Sequence, residues 1–273
     1  NTLFAAQSPD GRNLRYYSPF EGKRVYFDKD TYCCPCNFRR IIAELPTMVY
    51  YRCGGGLAIN LYTPSTAKVE LGGGLSLAVR QETNYPTSGK VIIHLEPSKP
   101  ARFPLRLRIP RWCTMANVVV NGEMVNMAVR GGLFFTIERQ WKSGDRVELQ
   151  MPMEWRVIKG RKAQAGRVAV MRGPVLFCLN PERNKDVKIE ELKLLRLELA
   201  SPQGPDKDNT VRPDGMACRV RAWNPNSYVG GPDMKLILTE FTDPGGQLTY
   251  FLVPNPYENI SIDDELIEPD RGR

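Results

Sequence analysis

A chain of 273 residues, 42% hydrophobic and 25% charged, has the composition of a globular protein and the length for one large core or two. The formal net charge is +8, but Lys and Arg are scattered. The densest patch, Lys159 to Arg167, reads as a solvated loop, so the basic stripe with interleaved aromatics that nucleic-acid binding requires is not there. No run approaches the ~18–20 apolar residues that span a bilayer, and the first residues carry no signal-like core, so a soluble chain of open localisation is expected.

Residues 1–36 read as irregular, with turn signals at Ser8-Pro9-Asp10-Gly11 and Ser18-Pro19 and a short extended piece at Val25-Tyr26-Phe27. The absence of an initiator Met suggests a processed or truncated end. Phe38, Ile41, Ile42 and Leu45 then fall on one helical face, with Asn37 as the expected N-cap and Pro46 as the stop.

From Thr47 the apolar period changes to two. Leu57, Ile59 and Leu61 alternate, and Val69 to Val79 holds two runs about Gly72-Gly73-Gly74. Val91 to Leu95, Leu105 to Ile109, Val118 to Val120, Leu133 to Ile137 and Val147 to Met151 follow, and Asn121-Gly122 is a strong hairpin signal. Short strands at this spacing predict an antiparallel sandwich. A basic linker near 158–165 leads to a second β block that opens at Gly166. Within it, Ile189 to Leu199 fits either a strand or a short helix, 201–215 reads as a loop, and Lys235 to Phe241 and Leu248 to Val253 read as strands. The charged tail is expected to be flexible.

Three of the seven cysteines fall in Cys33-Cys34-Pro35-Cys36, just ahead of the helix. Three readings are open: a thiolate metal site, a nucleophilic or redox cysteine, and packed thiols. The helix N-terminus favours a thiolate. Tetrahedral zinc needs four donors and the cluster offers at most three, so Asp28, Asp30 or a more distant group would have to complete it. Cys53, Cys113, Cys178 and Cys218 read as packing thiols. The single histidine, His94, reads as a strand-face residue and leaves no zinc site built on several histidines. Neither Gly54-Gly55-Gly56 nor Gly72-Gly73-Gly74 leads into a helix, so both read as hairpin connections rather than phosphate loops.

Cys33-Cys34-Pro35-x-Asn37, followed by Arg39 and an apolar helix, resembles the signature of glycoside hydrolase family 127, the β-L-arabinofuranosidase-like enzymes. Supporting pieces come in the same order: Asn1-Thr2-Leu3 with Gln7-Ser8, Gly56 to Tyr62, Arg80 to Pro86, Leu107 to Trp112, Val120 to Glu123, and Gly166 to Ala169 with Arg172-Gly173-Pro174. The resemblance covers roughly residues 1–255. It implies a mainly β chain: two antiparallel β-sandwich domains preceded by a short remnant of an (α/α)6 barrel with one helix. Residues 1–46 would be the end of the catalytic barrel, 47–158 the first sandwich, 159–258 the second and 259–273 a flexible tail.

By the same resemblance Cys33 is the catalytic nucleophile, and Cys33 and Cys34 are zinc ligands. The substrate is a glycan bearing an L-arabinofuranose-like sugar, and a missing N-terminal barrel segment or chain is the expected partner. Two departures matter. Cys36 stands where the family carries a second proline, and the family's acid/base glutamate and further zinc ligands, a glutamate and a third cysteine, lie far upstream of the pair. Only 32 residues precede Cys33 here, and Glu21, the one glutamate among them, is not given that role. The chain alone is therefore expected to be inactive. The alternative is a non-catalytic carbohydrate-binding or structural β-sandwich module, with Trp112, Trp141, Trp155 and Trp223 as stacking candidates for which core packing is the competing role.

Overall fold

Apolar alternation and glycine-punctuated turns produce a β protein with little helix. The computed structural model describes residues 2–26, 33–226 and 230–254, and the expected flexible tail lies outside them. The chain divides into two units, residues 39–153 and residues 1–38 with 154–273.

Helix α1 spans Thr2–Ala6, and α2 spans Cys33–Glu44. The sequence implied one helix, capped by Asn37, after an irregular stretch, and the structure corrects this with α1 inside that stretch and an earlier start for α2. The cysteines form the first turn of α2 and Asn37 lies inside it. Pro35 is tolerated there because first-turn amides have no intrahelical acceptor to lose. Pro46 ends α2 as expected, and a 3-10 turn, Leu45–Met48, follows. Ile41 and Ile42 remain exposed.

In residues 39–153 ten strands follow: β1 Tyr50–Cys53, β2 Gly56–Ile59, β3 Ser65–Gly72, β4 Leu75–Thr83, β5 Lys90–Pro97, β6 Ala101–Arg108, β7 Asn117–Val120, β8 Glu123–Met124, β9 Phe134–Trp141 and β10 Asp145–Gln150. They form a four-stranded sheet, β1-β2-β6-β9, and a six-stranded sheet, β3-β4-β5-β10-β7-β8. Leu57, Leu105, Ile137 and Trp141 of the first share one buried core with Leu77, Ile93, Val118 and Leu149 of the second. The turns are the ones the sequence signals. Asn121 (φ 53°) and Gly122 (φ 88°) link β7 to β8, and Gly54 and Gly55 link β1 to β2 with φ of 53° and 72°. Left-handed pairs of this kind match the twist of the strands they join.

The expected all-antiparallel pairing needs correction, because β2 runs parallel to β6. The chain leaves β2 for three antiparallel strands of the other sheet before it returns, which supplies the long crossover a parallel pair requires.

The other unit holds β11 Trp155–Lys159, β12 Arg167–Arg172, β13 Val175–Leu179, β14 Arg196–Leu197, β15 Gln203–Lys207, β16 Met216–Trp223, β17 Met234–Glu240 and β18 Phe251–Leu252. A second sandwich was expected here. Instead β12, β13, β17, β16, β14 and β18 pair in a closed circuit of six strands, because β18 bonds both β12 and β14. Closure removes the edges an open sheet would expose. Val170, Phe177, Leu197, Val220, Leu238 and Phe251 fill the core. Strand β15 falls in the stretch read as a loop; its Gly and Pro hide it from propensity, and an edge position tolerates both. Residues 189–199 contain both alternatives, a 3-10 turn at Ile189–Leu194 and then β14.

The N-terminal segment belongs to this unit. Ala5 packs with Cys178 and Phe241, and Gly22 N donates to Gln247 O at 2.8 Å. Glu21 bridges Arg167 (3.3 Å) and Lys193, which accounts for its carboxylate structurally.

Candidate active site

Helix α2 positions the cysteine cluster. Cys33 and Cys36 are both exposed and stand three residues apart, so they share one helix face. No acidic residue lies in the first turn of the helix. The side chain of Cys34 lies outside the described residues, as do Asp28 and Asp30.

Among the described residues no group of three or more His, Cys, Asp or Glu side chains is gathered where a metal ion could sit. Cys33 and Cys36 are the described thiols of the cluster and a tetrahedral site needs four donors, so the described residues do not form a zinc shell on their own.

The remaining cysteines are packing groups. Cys113, Cys178 and Cys218 are buried, and burial raises the Cys178 thiol to about 11 and the Cys218 thiol to about 12. Cys53 is half-buried, with Arg106 Nη1 3.0 Å from its sulfur.

Three of the four tryptophans are accounted for by packing. Trp141 is fully buried and its Nε1 donates to Phe103 O at 2.9 Å. Trp155 stands edge-on to Phe177 with ring centroids 5.0 Å apart. Trp112 packs against the core shared by the two sheets. Trp223 donates through Nε1 to Gly230 O at 3.1 Å.

His94 lies on the face of β5, as the alternation implies, directly opposite Arg80 on β4 and Arg146 on β10. Sequence reasoning missed this alignment. The outward-facing alternation was visible, but the register that brings the three side chains level was not.

Residues 56–153 match the model of the GH127 middle domain of β-L-arabinofuranosidases. A non-reducing end β-L-arabinofuranosidase of Bifidobacterium longum is 29% identical over 157 residues, which cover 54% of this chain and 23% of that protein. A GH127 β-L-arabinofuranosidase from Geobacillus stearothermophilus superposes with a TM-score of 0.80 at 27% identity, covering 93% of this chain and 44% of that one. A further GH127 β-arabinofuranosidase gives 0.77 at 25% identity, with 93% and 44% covered. The architecture and the ordered sequence pieces thus define a glycoside hydrolase-like chain. It is similar to members of glycoside hydrolase family 127 and spans less than half the length of the relatives it matches.

Proposed function

We propose that this chain is the C-terminal portion of a retaining glycoside hydrolase that releases an L-arabinofuranose-like sugar from a glycan, with Cys33 as nucleophile. The observation that carries this is the exposed Cys33 in the first turn of α2, next to Cys34, within a chain similar to members of this family. The Cys33 sulfur attacks the anomeric carbon as the bond to the leaving oxygen breaks, and an acid protonates that oxygen. Water, deprotonated by the same group, then attacks the anomeric carbon, the carbon–sulfur bond breaks, and the configuration is retained overall.

Zinc enters through the resemblance alone. Cys33 and Cys34 would be two of its donors, and a bound ion would keep the sulfur deprotonated. The acid/base and the remaining ligands belong, in the family, to sequence upstream of the cysteine pair. Residues 1–46 are read as the end of that barrel, and the isolated chain as inactive. The test is turnover of a nitrophenyl arabinofuranoside. The 273 residues alone should show none, whereas the whole protein should, and Cys33→Ser should abolish it. Turnover by the isolated chain that Cys33→Ser removes would refute its inactivity, and full activity of Cys33→Ser in the whole protein would refute the nucleophile.

A further inference from the structure

The outward faces of β3, β4 and β5 form a depression of about 420 Å³, lined by Thr66, Lys68, Ala78, Arg80, His94 and Glu96 among others. Strand register arranges these residues in two rows. Lys68 lies opposite Ala78, which lies opposite Glu96; one step along, Thr66 faces Arg80, which faces His94. Ala78 contributes only a methyl group, so it forms the floor. With neighbouring strands about 4.8 Å apart, Lys68 and Glu96 flank it at a separation of about 10 Å, room for one sugar ring.

Lys68 and Glu96 are the groups available to a ligand. Among the described residues neither has an ion-pair or side-chain hydrogen-bond partner, whereas Arg80 is paired with Glu82. Residues 39–153 carry 15 Lys and Arg against 8 Asp and Glu, so the unit around the depression is strongly basic although the chain as a whole is less so. A carboxylate above Ala78 would pair with the Lys68 ammonium, with neighbouring hydroxyls facing Glu96 and Thr66. No Phe, Tyr or Trp lines the depression, so recognition there is ionic and hydrogen-bonded rather than by stacking on a large ring.

We propose that this depression on the outer face of β3, β4 and β5 binds the uronate residues of an acidic glycan. The choice of a saccharide rests on the glycoside hydrolase reading, while the requirement for a carboxylate rests on these side chains.

The test is calorimetric titration of the 273-residue chain with polygalacturonate, its methyl-esterified form and polyaspartate. Polygalacturonate should bind in preference to both others. Lys68→Ala should weaken it by about tenfold or more, the scale of one lost charge-assisted contact, and Ala78→Gln, which fills the floor without changing charge, should do likewise. Lys142→Ala, elsewhere on the same unit, should bind as the native chain does. No binding, equal binding of the ester, or equal losses in Lys68→Ala and Lys142→Ala would overturn the proposal. So would polyaspartate binding as tightly, which would assign the patch to acidic peptides. Arabinofuranoside turnover by the whole protein and its loss in Cys33→Ser are read separately, so either idea can fail without the other.

Discussion

Arg24 Nη1 donates to the backbone carbonyl of Asp243 at 2.6 Å and also to that of Phe241, while its guanidinium lies 4.2 Å from the centroid of the Phe241 ring. Two residues 219 positions apart are thereby joined inside one unit. Burial disfavours the charge on Arg24, and among the described residues Nε and Nη2 have no hydrogen-bond partner, so the carbonyl bonds, with Cys178 and Asp243 nearby, offset the cost.

Arg24→Ala removes the donor to the Phe241 carbonyl, leaves the Asp243 carbonyl with Gly246 N alone and opens a void beside Phe241. The expected loss is roughly 2–4 kcal/mol of stability. Arg24→Met, which fills the space and removes the buried charge as well, should cost less. Urea unfolding of the two variants checks the order, and equal losses would show that packing alone accounts for the site.

Gly56 pairs with the end of β1 and lies against β6. A Cβ built there would stand 2.0 Å from Pro104 O and 2.8 Å from the Pro104 ring, a backbone obstacle that cannot rotate away. Gly56→Ala should therefore force β2 and β6 apart and cost about 1–3 kcal/mol. Gly73→Ala provides the contrast: its position is open, so only the strain of its positive φ remains. Thermal melting that places Gly56→Ala no lower than Gly73→Ala would contradict this.

His94 should make the protein less stable in acid. Burial, then the Arg80 and Arg146 charges opposite it, holds its imidazole below the ordinary histidine range, against an opposing pull from Glu96. Glu82 approaches to 3.4 Å without relieving this. The unfolded chain thus binds the proton more readily than the folded one. The stability contribution is present above the unfolded value of about 6.5 and is lost as pH falls through the lower folded value. Melting temperatures from pH 7 to 5 should fall more steeply for the native protein than for His94→Gln; parallel slopes would count against the assignment.

Thiol reactivity should divide by location. Iodoacetamide at pH 8 should modify the exposed Cys33 and Cys36 and spare Cys113, Cys178 and Cys218 until denaturant is added. A thiol raised to about 11, as at Cys178, is only on the order of 0.1% ionised at that pH and is also shielded. Peptide mass spectrometry reads the pattern, and labelling of Cys178 in the native protein would show that its strand opens.

Much of the architecture was legible in the residues. Asn121-Gly122 and Gly54-Gly55 are turn chemistry that any window of sequence displays, and the period-two runs from Leu57 to Met151 show which side of each strand is buried. The Cys33-Cys34 motif and its ordered companions carried the resemblance to glycoside hydrolase family 127. These features are local, set by φ preferences and by which side chains leave water. Other features depended on partners far away in the chain. The closed six-strand circuit requires β18 to meet both β12 and β14, the parallel β2–β6 pair requires a return from the opposite sheet, and Arg24 needs carbonyls that only the folded unit brings to it. The alignment of Arg80, His94 and Arg146 belongs to the same class, because alternation fixes the face of a residue and only strand register fixes its neighbour.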